Sequence, residues 1–345
     1  MKKVFMVISA LFALAASGAA HSYDWQPLPT TAPAPANNPT TRAKVELGKA
    51  LYFDPRISST GTVSCNSCHN VMEGGDDSRP NSMGVNGQTG GRGAPTVWNA
   101  AFHATQFWDG RASSLEAQAI GPMTNPIEMG MKNHDLVMQR VAKMAAYKTM
   151  FNAAFGNQQM TIDQAAKAIA AYERTLITPN SAYDQYVKGN KSALNKQQQK
   201  GMALFAEVGC VSCHSGAAFN GQSGLPMGTL MLMKFPTFTD NAYVKKYNLA
   251  ADKGRENVTG KAADNNMFRI PTLRNIALTA PYFHTGTVRT LDEAVKVMAK
   301  TQLNKDLKKS EVADIVAFLN ALTGPFPKQV MPRLPVTPGE SVVVD

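Results

Sequence analysis

The sequence predicts an all-α fold built from two related units, and three observations support this prediction. Apolar residues recur at helical spacing in several stretches, and some of these stretches open with a helix-capping pattern. A set of residues in the second half of the chain repeats the first half at one constant offset. Segments rich in glycine and proline, such as residues 84–95, separate the helical stretches and predict long loops.

Capping patterns mark where several of the predicted helices begin. Thr161 and Gln164 form a capping-box pattern, and a face of apolar residues follows at helical spacing: Ile162, Ala165, Ile169, Tyr172 and Leu176. Thr290 and Glu293 repeat the capping pattern, and another amphipathic stretch begins at Ser310. We therefore expect short helices that each bury one apolar face.

The repeat is clearest in short segments that share their order and spacing. PTVWN and FWDG in the first half correspond to PTLRN and FHTG in the second, at residues 95–99, 107–110, 271–275 and 283–286. Leu115 then matches Leu291 at the same offset. Because self-similarity at a fixed offset is typical of duplication, the chain is expected to contain two related units.

The chain of 345 residues is long enough for two domains of ordinary size. Residues 1–20 contain two lysines, an apolar run and small residues, which is the pattern of a cleavable secretory signal peptide; an uncleaved anchor is the alternative. We expect domains at residues 21–178 and 179–324, with a proline-rich extended tail at residues 325–345. The second domain carries an insertion around residues 225–266.

The charge and the hydropathy exclude two classes of partner. The formal net charge is +10, but the basic residues are scattered and form no run of the kind that binds nucleic acid. The apolar run of the signal peptide is too short for a comfortable transmembrane helix, and no other segment is long and apolar enough for a membrane span.

All four cysteines lie in two CxxCH motifs, CNSCH at residues 65–69 and CVSCH at residues 210–214. Four cysteines in an exported protein commonly form disulfides, but a disulfide framework does not explain a histidine after each second cysteine. Covalent haem attachment explains it, because two thiols bond the haem and the next imidazole binds the iron. We expect two haems c, with zinc binding or a redox dithiol as minor alternatives, on these residues: Cys65, Cys68, His69, Cys210, Cys213 and His214.

The residue opposite each histidine decides the function, because two protein ligands favour electron transfer and an open position admits a small molecule. In the second unit Met298 is the best distal candidate by spacing, although it is alternatively a core residue. Four methionines of the insertion compete with it: Met227, Met231, Met233 and Met267. In the first unit Pro122 aligns with Met298, and its neighbours Met123, Met129 and Met131 can still ligate.

Two more residues of the first unit are candidates for chemistry. A carboxylate such as Glu128 beside an open haem can take a proton from the near oxygen of peroxide and return it to the far one; a solvated loop acid is the alternative. Trp108 aligns with His284, and its indole either carries electrons between the haems or fills core volume. Three histidines lack ligand spacing and are expected at the surface: His21, His103 and His134.

Together these residues resemble the bacterial dihaem cytochrome c peroxidases over roughly residues 44–324. The resemblance rests on the two haem motifs, on the repeated segments, and on the surroundings of Gln118, Glu128 and Met298. It implies two cytochrome c-like domains that face each other. The N-terminal haem on His69 would be peroxidatic, and the C-terminal haem on His214 and Met298 would be the electron entry.

The resemblance also implies roles and partners. Glu128 would be the acid–base residue with Gln118 beside it, and Trp108 would lie between the haems. A calcium ion between the domains would bind backbone carbonyls of Thr279 and Pro281. The protein would be a periplasmic homodimer that takes electrons from a small cytochrome c or a blue copper protein and reduces hydrogen peroxide.

Two positions depart from the family pattern. Val85 stands where many members have a histidine that caps the peroxidatic iron, so we expect an open first haem in the oxidised protein and activity without reductive activation. Gly93 stands where the family has an asparagine that binds calcium, so we expect calcium binding of weaker affinity.

Two other functions remain as alternatives. A dihaem electron carrier without catalysis would need a distal ligand on both irons, with Met123 or Met129 on the first. A relative that oxidises a protein side chain would have a tyrosine in place of the distal methionine, and Met298 argues against it.

Overall fold

The computed structural model describes residues 23–156, 159–222 and 225–343, so the expected signal peptide and His21 lie outside the described residues. The described chain is rich in helices joined by long loops, as predicted. The α-helices are α1 Arg42–Phe53, α2 Cys65–Cys68, α3 Leu115–Thr124, α4 His134–Ala142, α5 Ala145–Phe155, α6 Ile162–Glu173, α7 Ala182–Val187, α8 Lys196–Val208, α9 Ala242–Lys246, α10 Glu256–Thr259, α11 Leu291–Leu303 and α12 Lys309–Asn320. Over the described ranges, none of these helices has the length and apolar character needed to cross a membrane.

The two capping patterns have different outcomes. At α6 the Thr161 hydroxyl accepts the N–H of Gln164, and the Gln164 side chain accepts the N–H of Thr161, so the predicted box is confirmed. At α11 the Thr290 hydroxyl accepts the N–H of Glu293 at 3.3 Å. The Glu293 carboxylate instead accepts the hydroxyl of Tyr247 at 2.7 Å. The predicted hydrogen bond from the Thr290 N–H to the Glu293 side chain is therefore wrong, because the Tyr247 hydroxyl, from the insertion, donates to that carboxylate instead.

A small sheet that helical periodicity does not predict joins the insertion to the segment that follows it. Strand β1 Leu232–Lys234 pairs antiparallel with β2 Met267–Arg269, with Leu232 opposite Arg269. The backbone N–H of Arg269 donates to the carbonyl of Trp108 at 2.8 Å. The sheet therefore closes the insertion at its base and attaches it to the first half of the chain.

Two helix pairs approach each other closely at a glycine. A Cβ on Gly48 of α1 would stand 1.8 Å from the carbonyl oxygen of Ala168 in α6. A Cβ on Gly201 of α8 would likewise stand 1.8 Å from the carbonyl oxygen of Asp314 in α12. Since only glycine permits this approach, the helix that precedes each CxxCH motif packs by the same device.

The buried apolar side chains form three main clusters. The first cluster joins α1 with α3, α4, α5 and α6. The second cluster joins α7, α8 and α12, and the third joins the insertion to α11. Long loops between these clusters carry the CxxCH motifs and the repeated segments.

Each end of the described chain packs on the opposite half. The N–H of Leu28 donates to a carboxylate oxygen of Asp184 at 2.9 Å, beside the second cluster. Residues 325–343 form no helix or strand and run over the first half. There Phe326 packs against the first cluster and Val342 is buried within it.

Candidate functional site

Two large cavities each contain one CxxCH motif. The first cavity has a volume of about 1950 Å³ with its open mouth and is lined by Cys65, Cys68 and His69. The second has a volume of about 1710 Å³ and is lined by Cys210, Cys213 and His214. None of the four cysteines forms a disulfide. Both thiol pairs are therefore available for thioether bonds to a flat macrocycle.

Each motif histidine is oriented by a carbonyl group. The Nδ1 atom of His69 lies 2.9 Å from the carbonyl oxygen of Pro95, and Nδ1 of His214 lies 3.1 Å from that of Phe219. Because a carbonyl only accepts, each Nδ1 carries the proton and Nε2 keeps the lone pair that binds a metal. Burial lowers the pKa of both imidazoles, which favours the neutral ligating form.

The two cavities differ at one equivalent helix position. Helices α3 and α11 begin at the aligned residues Leu115 and Leu291, so Pro122 and Met298 are each the eighth residue of their helix. Pro122 lines the first cavity, whereas Met298 lines the second. A thioether can bind iron, but a proline ring offers no donor atom. At this helix position the second cavity therefore has a distal ligand candidate and the first cavity has none.

The structure narrows the competing methionines to two. Met129 lines the first cavity, and Met233 lines the second together with Met298. Among the described residues, the other candidate methionines line neither cavity: Met123, Met131, Met227, Met231 and Met267. Met123 and Met131 are buried in the first cluster instead.

Glu128 lies in the wall of the first cavity, on the loop after α3, and Gln118 of α3 lines the same cavity. One carboxylate oxygen of Glu128 accepts the side-chain amide of Asn125 at 2.9 Å. Burial raises the pKa of Glu128 above its usual value, while the charge of Arg111 and the Asn125 hydrogen bond lower it. Glu128 is therefore a partly buried acid that faces the cavity rather than a solvated loop residue.

Arg111 was not identified from the sequence, although it fixes a positive charge near Glu128. Its guanidinium carbon lies 3.4 Å from the ring centroid of Phe107, and it pairs with Asp109 at 2.8 Å. Asp109 in turn accepts Arg92 at 2.6 Å. Arg111, Phe107 and Glu128 also line a smaller opening that adjoins the first cavity. Glu128 therefore borders both the first cavity and this opening.

Trp108 and residues 93–96 line both cavities and separate them. The indole N–H of Trp108 donates to the carbonyl of Gly93 at 2.9 Å. Its ring meets the imidazole of His284 edge to face, with centroids 6.2 Å apart. The indole therefore lies at the wall between the two cavities and not only in a structural core.

The predicted surface position of His103 is wrong. Its Nδ1 accepts the guanidinium of Arg269 at 2.6 Å and the amide of Asn220 at 2.9 Å, and the ring lines the second cavity. Burial, with a smaller effect of Arg269, holds the pKa of His103 well below its usual value. His134 is partly buried and contacts the carbonyl of Ile120 at 3.0 Å.

The loop around Val85 is packed against the Glu128 segment. Val85 is only 1% exposed and lies in the first cluster. Its N–H donates to the carbonyl of Glu128 at 2.9 Å, and a Cβ on Gly84 would stand 2.0 Å from the carbonyl oxygen of Ile127. The loop therefore holds the Glu128 backbone, and its apolar side chain at position 85 offers no ligand.

Thr279, Pro281 and Gly93 lie together in the wall of the second cavity. The structure adds Asp76 to this group, a buried carboxylate that no motif in the sequence indicates. Gly93 has no side-chain oxygen to offer, but Asp76, from a different loop, brings a carboxylate to the same cavity.

The chain is similar to known proteins over most of its length. A family profile described as di-haem cytochrome c peroxidase matches residues 42–192. Cytochrome c551 peroxidase of Nitrosomonas europaea is 46% identical over 303 residues, covering 88% of this chain and 86% of the relative. Cytochrome c551 peroxidase of Pseudomonas aeruginosa is 44% identical over 315 residues, covering 91% and 88%.

The fold is also similar to a solved structure. The crystal structure of a MauG-like protein associated with microbial copper homeostasis has a TM-score of 0.73 and 30% sequence identity. The similarity covers 88% of this chain and 94% of that one. The helix-rich architecture is thus shared over nearly the whole of both chains.

Proposed function

The chain belongs to the di-haem cytochrome c peroxidase family, and from this premise we propose that it reduces hydrogen peroxide to water with electrons from a small donor protein. The observation that carries the proposal is the contrast between Pro122 and Met298. The same helix position supplies a ligand candidate to the second cavity and none to the first. A catalyst with one open iron and one electron-relay iron needs this difference.

The donor sets of the cavities fit two covalent haems c. Cys65 and Cys68 would bond the first haem, with His69 as its axial ligand. The second haem would be held by the other cysteine pair and two axial residues: Cys210, Cys213, His214 and Met298. When bound, the iron supplies the redox chemistry, with electrons entering at the second cavity and peroxide reduced at the first.

Glu128 is the proposed proton carrier. Its carboxylate accepts the proton from the near oxygen of peroxide and returns it to the far oxygen, so that water leaves. Arg111 favours the ionised form that accepts this proton. Gln118, on the same cavity wall, is proposed to orient peroxide by hydrogen bonding, and Trp108 is proposed as the electron path between the cavities.

We also propose that residues 21–178 and 179–324 are duplicated cytochrome c-like domains with one haem each. Matching backbone conformations support this division. Asn99 and Asn275 have φ of 63° and 60°, and Phe107 and Phe283 have φ of 66° and 67°. These conformations are uncommon for residues other than glycine, and they recur at the repeat offset.

The remaining proposals depend on the family resemblance. The donor would be a small periplasmic cytochrome c or a blue copper protein, and the protein would act in the periplasm as a homodimer after removal of residues 1–20. A calcium ion would bind between the halves through the carbonyls of Thr279 and Pro281.

The test is the oxidation of a reduced small cytochrome c by peroxide. Glu128→Gln keeps the shape of the side chain but cannot carry the proton, so turnover should fall roughly 10²–10⁴-fold with both haems still bound. Glu46→Gln, on an exposed position of α1, should leave turnover unchanged. Unchanged turnover in Glu128→Gln would remove this residue from the mechanism. A wild-type protein with both irons capped and no turnover would favour the electron carrier.

A further inference from the structure

Asp76 has a buried carboxylate that forms no ion pair within the part of the chain that the structure describes. The residue is 5% exposed, and among the described residues its Oδ1 atom has no hydrogen-bond partner. Leaving a buried carboxylate oxygen unpaired is costly. The proposed peroxidase mechanism does not use Asp76, so the position of this oxygen needs its own explanation.

The unpaired oxygen faces the second half of the chain. A Cβ on Gly74 would stand 2.8 Å from Oδ1 of Asp76 and 2.5 Å from the carbonyl oxygen of Leu278. The two oxygens therefore flank a space that only a glycine keeps free. Asp76 also lines the second cavity, as do Gly93, Thr279 and Pro281.

The neighbouring charges do not neutralise Asp76. Burial raises its pKa to about 6, and the nearby acids Asp77 and Glu73 also raise it, while backbone N–H groups lower it. The negative charge of Asp76 in turn helps to raise the pKa of Tyr282. None of the largest contributions to the pKa shift of Asp76 comes from a basic residue. The buried Oδ1 atom is therefore left without a neutralising partner among the described residues, and a cation is the counter-charge that such an oxygen would bind.

We propose that Asp76 is a carboxylate ligand of a calcium ion at the junction of the two halves, where it replaces the side-chain oxygen that Gly93 cannot provide. Calcium prefers six to eight oxygen ligands, and it accepts carboxylates, backbone carbonyls and water together. The carbonyls of Thr279 and Pro281 would complete the protein ligands. The inference rests on the proposed calcium site and identifies a ligand for it.

A charged ligand changes the expected affinity. Gly93 alone predicts weak binding, because a neutral amide oxygen is missing. An anionic oxygen from Asp76 attracts a divalent cation more strongly than an amide does, since affinity depends on the number of charged ligands. Asp76 follows the first CxxCH motif, so the ion would link that loop to the second half beside the wall between the cavities.

The experiment is calcium titration of the chelator-treated holoprotein by isothermal calorimetry. Wild type should bind one ion per chain, and Asp76→Asn should weaken binding by tenfold or more, a change of about 1.4 kcal/mol. Asp135→Asn is the matched control, because it removes the same charge from an exposed residue in the first turn of α4, outside the cavity wall. Adding Gly93→Asn to Asp76→Asn should restore part of the affinity. The haem absorption spectrum checks that each variant is folded.

Unchanged affinity in folded Asp76→Asn would overturn the proposal, and so would a wild type that binds no calcium. A crystal of the wild-type holoprotein soaked in calcium gives a test that needs no variant. The ion should lie about 2.3–2.6 Å from a carboxylate oxygen of Asp76, and an ion without contact to Asp76 would contradict the assignment. Failure here leaves the peroxidase proposal intact, because peroxide turnover is measured separately.

Discussion

The indole of Trp108 and the imidazole of His284 meet edge to face, with ring centroids 6.2 Å apart. The two residues hold equivalent positions in the repeat, yet Trp108 lines both cavities and His284 lines only the second. The repeat thus places two different aromatic rings against each other at the wall between the cavities. The indole is therefore the proposed path for an electron that crosses this wall.

Replacing Trp108 should slow the delivery of electrons to the first cavity. Trp108→Phe keeps a ring but loses the second ring of the indole and the hydrogen bond to Gly93. In stopped-flow experiments the donor should reduce the second haem at the wild-type rate, while peroxide turnover falls. Trp25→Phe, which alters an indole against the second cluster, is the control. Equal turnover in Trp108→Phe and wild type would exclude the indole as the path.

The oxidised protein should contain a high-spin first haem and should be active without prior reduction. Val85 is buried and apolar, and Pro122 offers no donor, so neither residue can cap the iron. Optical and electron paramagnetic resonance spectra of the oxidised enzyme test this, together with turnover on first mixing with peroxide.

A purely low-spin oxidised spectrum would contradict that expectation and would point to Met129, which lines the first cavity. Met129→Leu separates the two cases. It should leave the spectrum unchanged if the iron is open, and it should convert a capped iron to high spin.

Met298, and not Met233, should hold the second iron. Met298→Leu should lower the reduction potential of the second haem, because methionine ligation raises the potential of a histidine-bound iron. Met233→Leu removes the other thioether of the second cavity and should leave the potential near the wild-type value. A redox titration of both variants decides the assignment, and the reverse pattern would transfer the ligand role to Met233.

Arg111 should determine the acid limb of the pH profile. Burial raises the pKa of Glu128 and Arg111 lowers it, so Arg111→Gln should raise that pKa further. Because the carboxylate is the form that accepts the proton, kcat/KM falls as pH falls through this pKa. The acid limb of Arg111→Gln should therefore lie at higher pH than that of wild type.

A profile of kcat/KM against pH measures this shift. Arg42→Gln, at an exposed position that opens α1, should give the wild-type profile. A lower rate with an unmoved acid limb would show that Arg111 acts by packing on Phe107 and not through Glu128.

The sequence predicts those parts of the site whose spacing is local. The CxxCH motifs define the covalent ligands within five residues, and the constant offset of the repeat is enough to align Pro122 with Met298. The helical composition follows from the capping and apolar patterns, as the box at Thr161 shows.

The parts that depend on distant contacts could not be predicted. The surface prediction for His103 is wrong because its partner Arg269 lies in β2, far along the chain and beside the insertion. Asp76 belongs to no sequence motif, and its proposed role as a ligand depends on its position near the Leu278 carbonyl, which comes from the other half of the chain. The strands β1 and β2 are too short for alternation to reveal them.

Because each end of the described chain packs on the opposite half, these contacts affect the order in which the two halves can be completed during synthesis. Domains generally fold in the sequence in which the ribosome releases them, with the N-terminal one first. The first cluster, however, includes Val342, so its core stays incomplete until Val342 has been synthesised. The half that is proposed to bind peroxide is therefore finished last, after the helices of the other half have been synthesised.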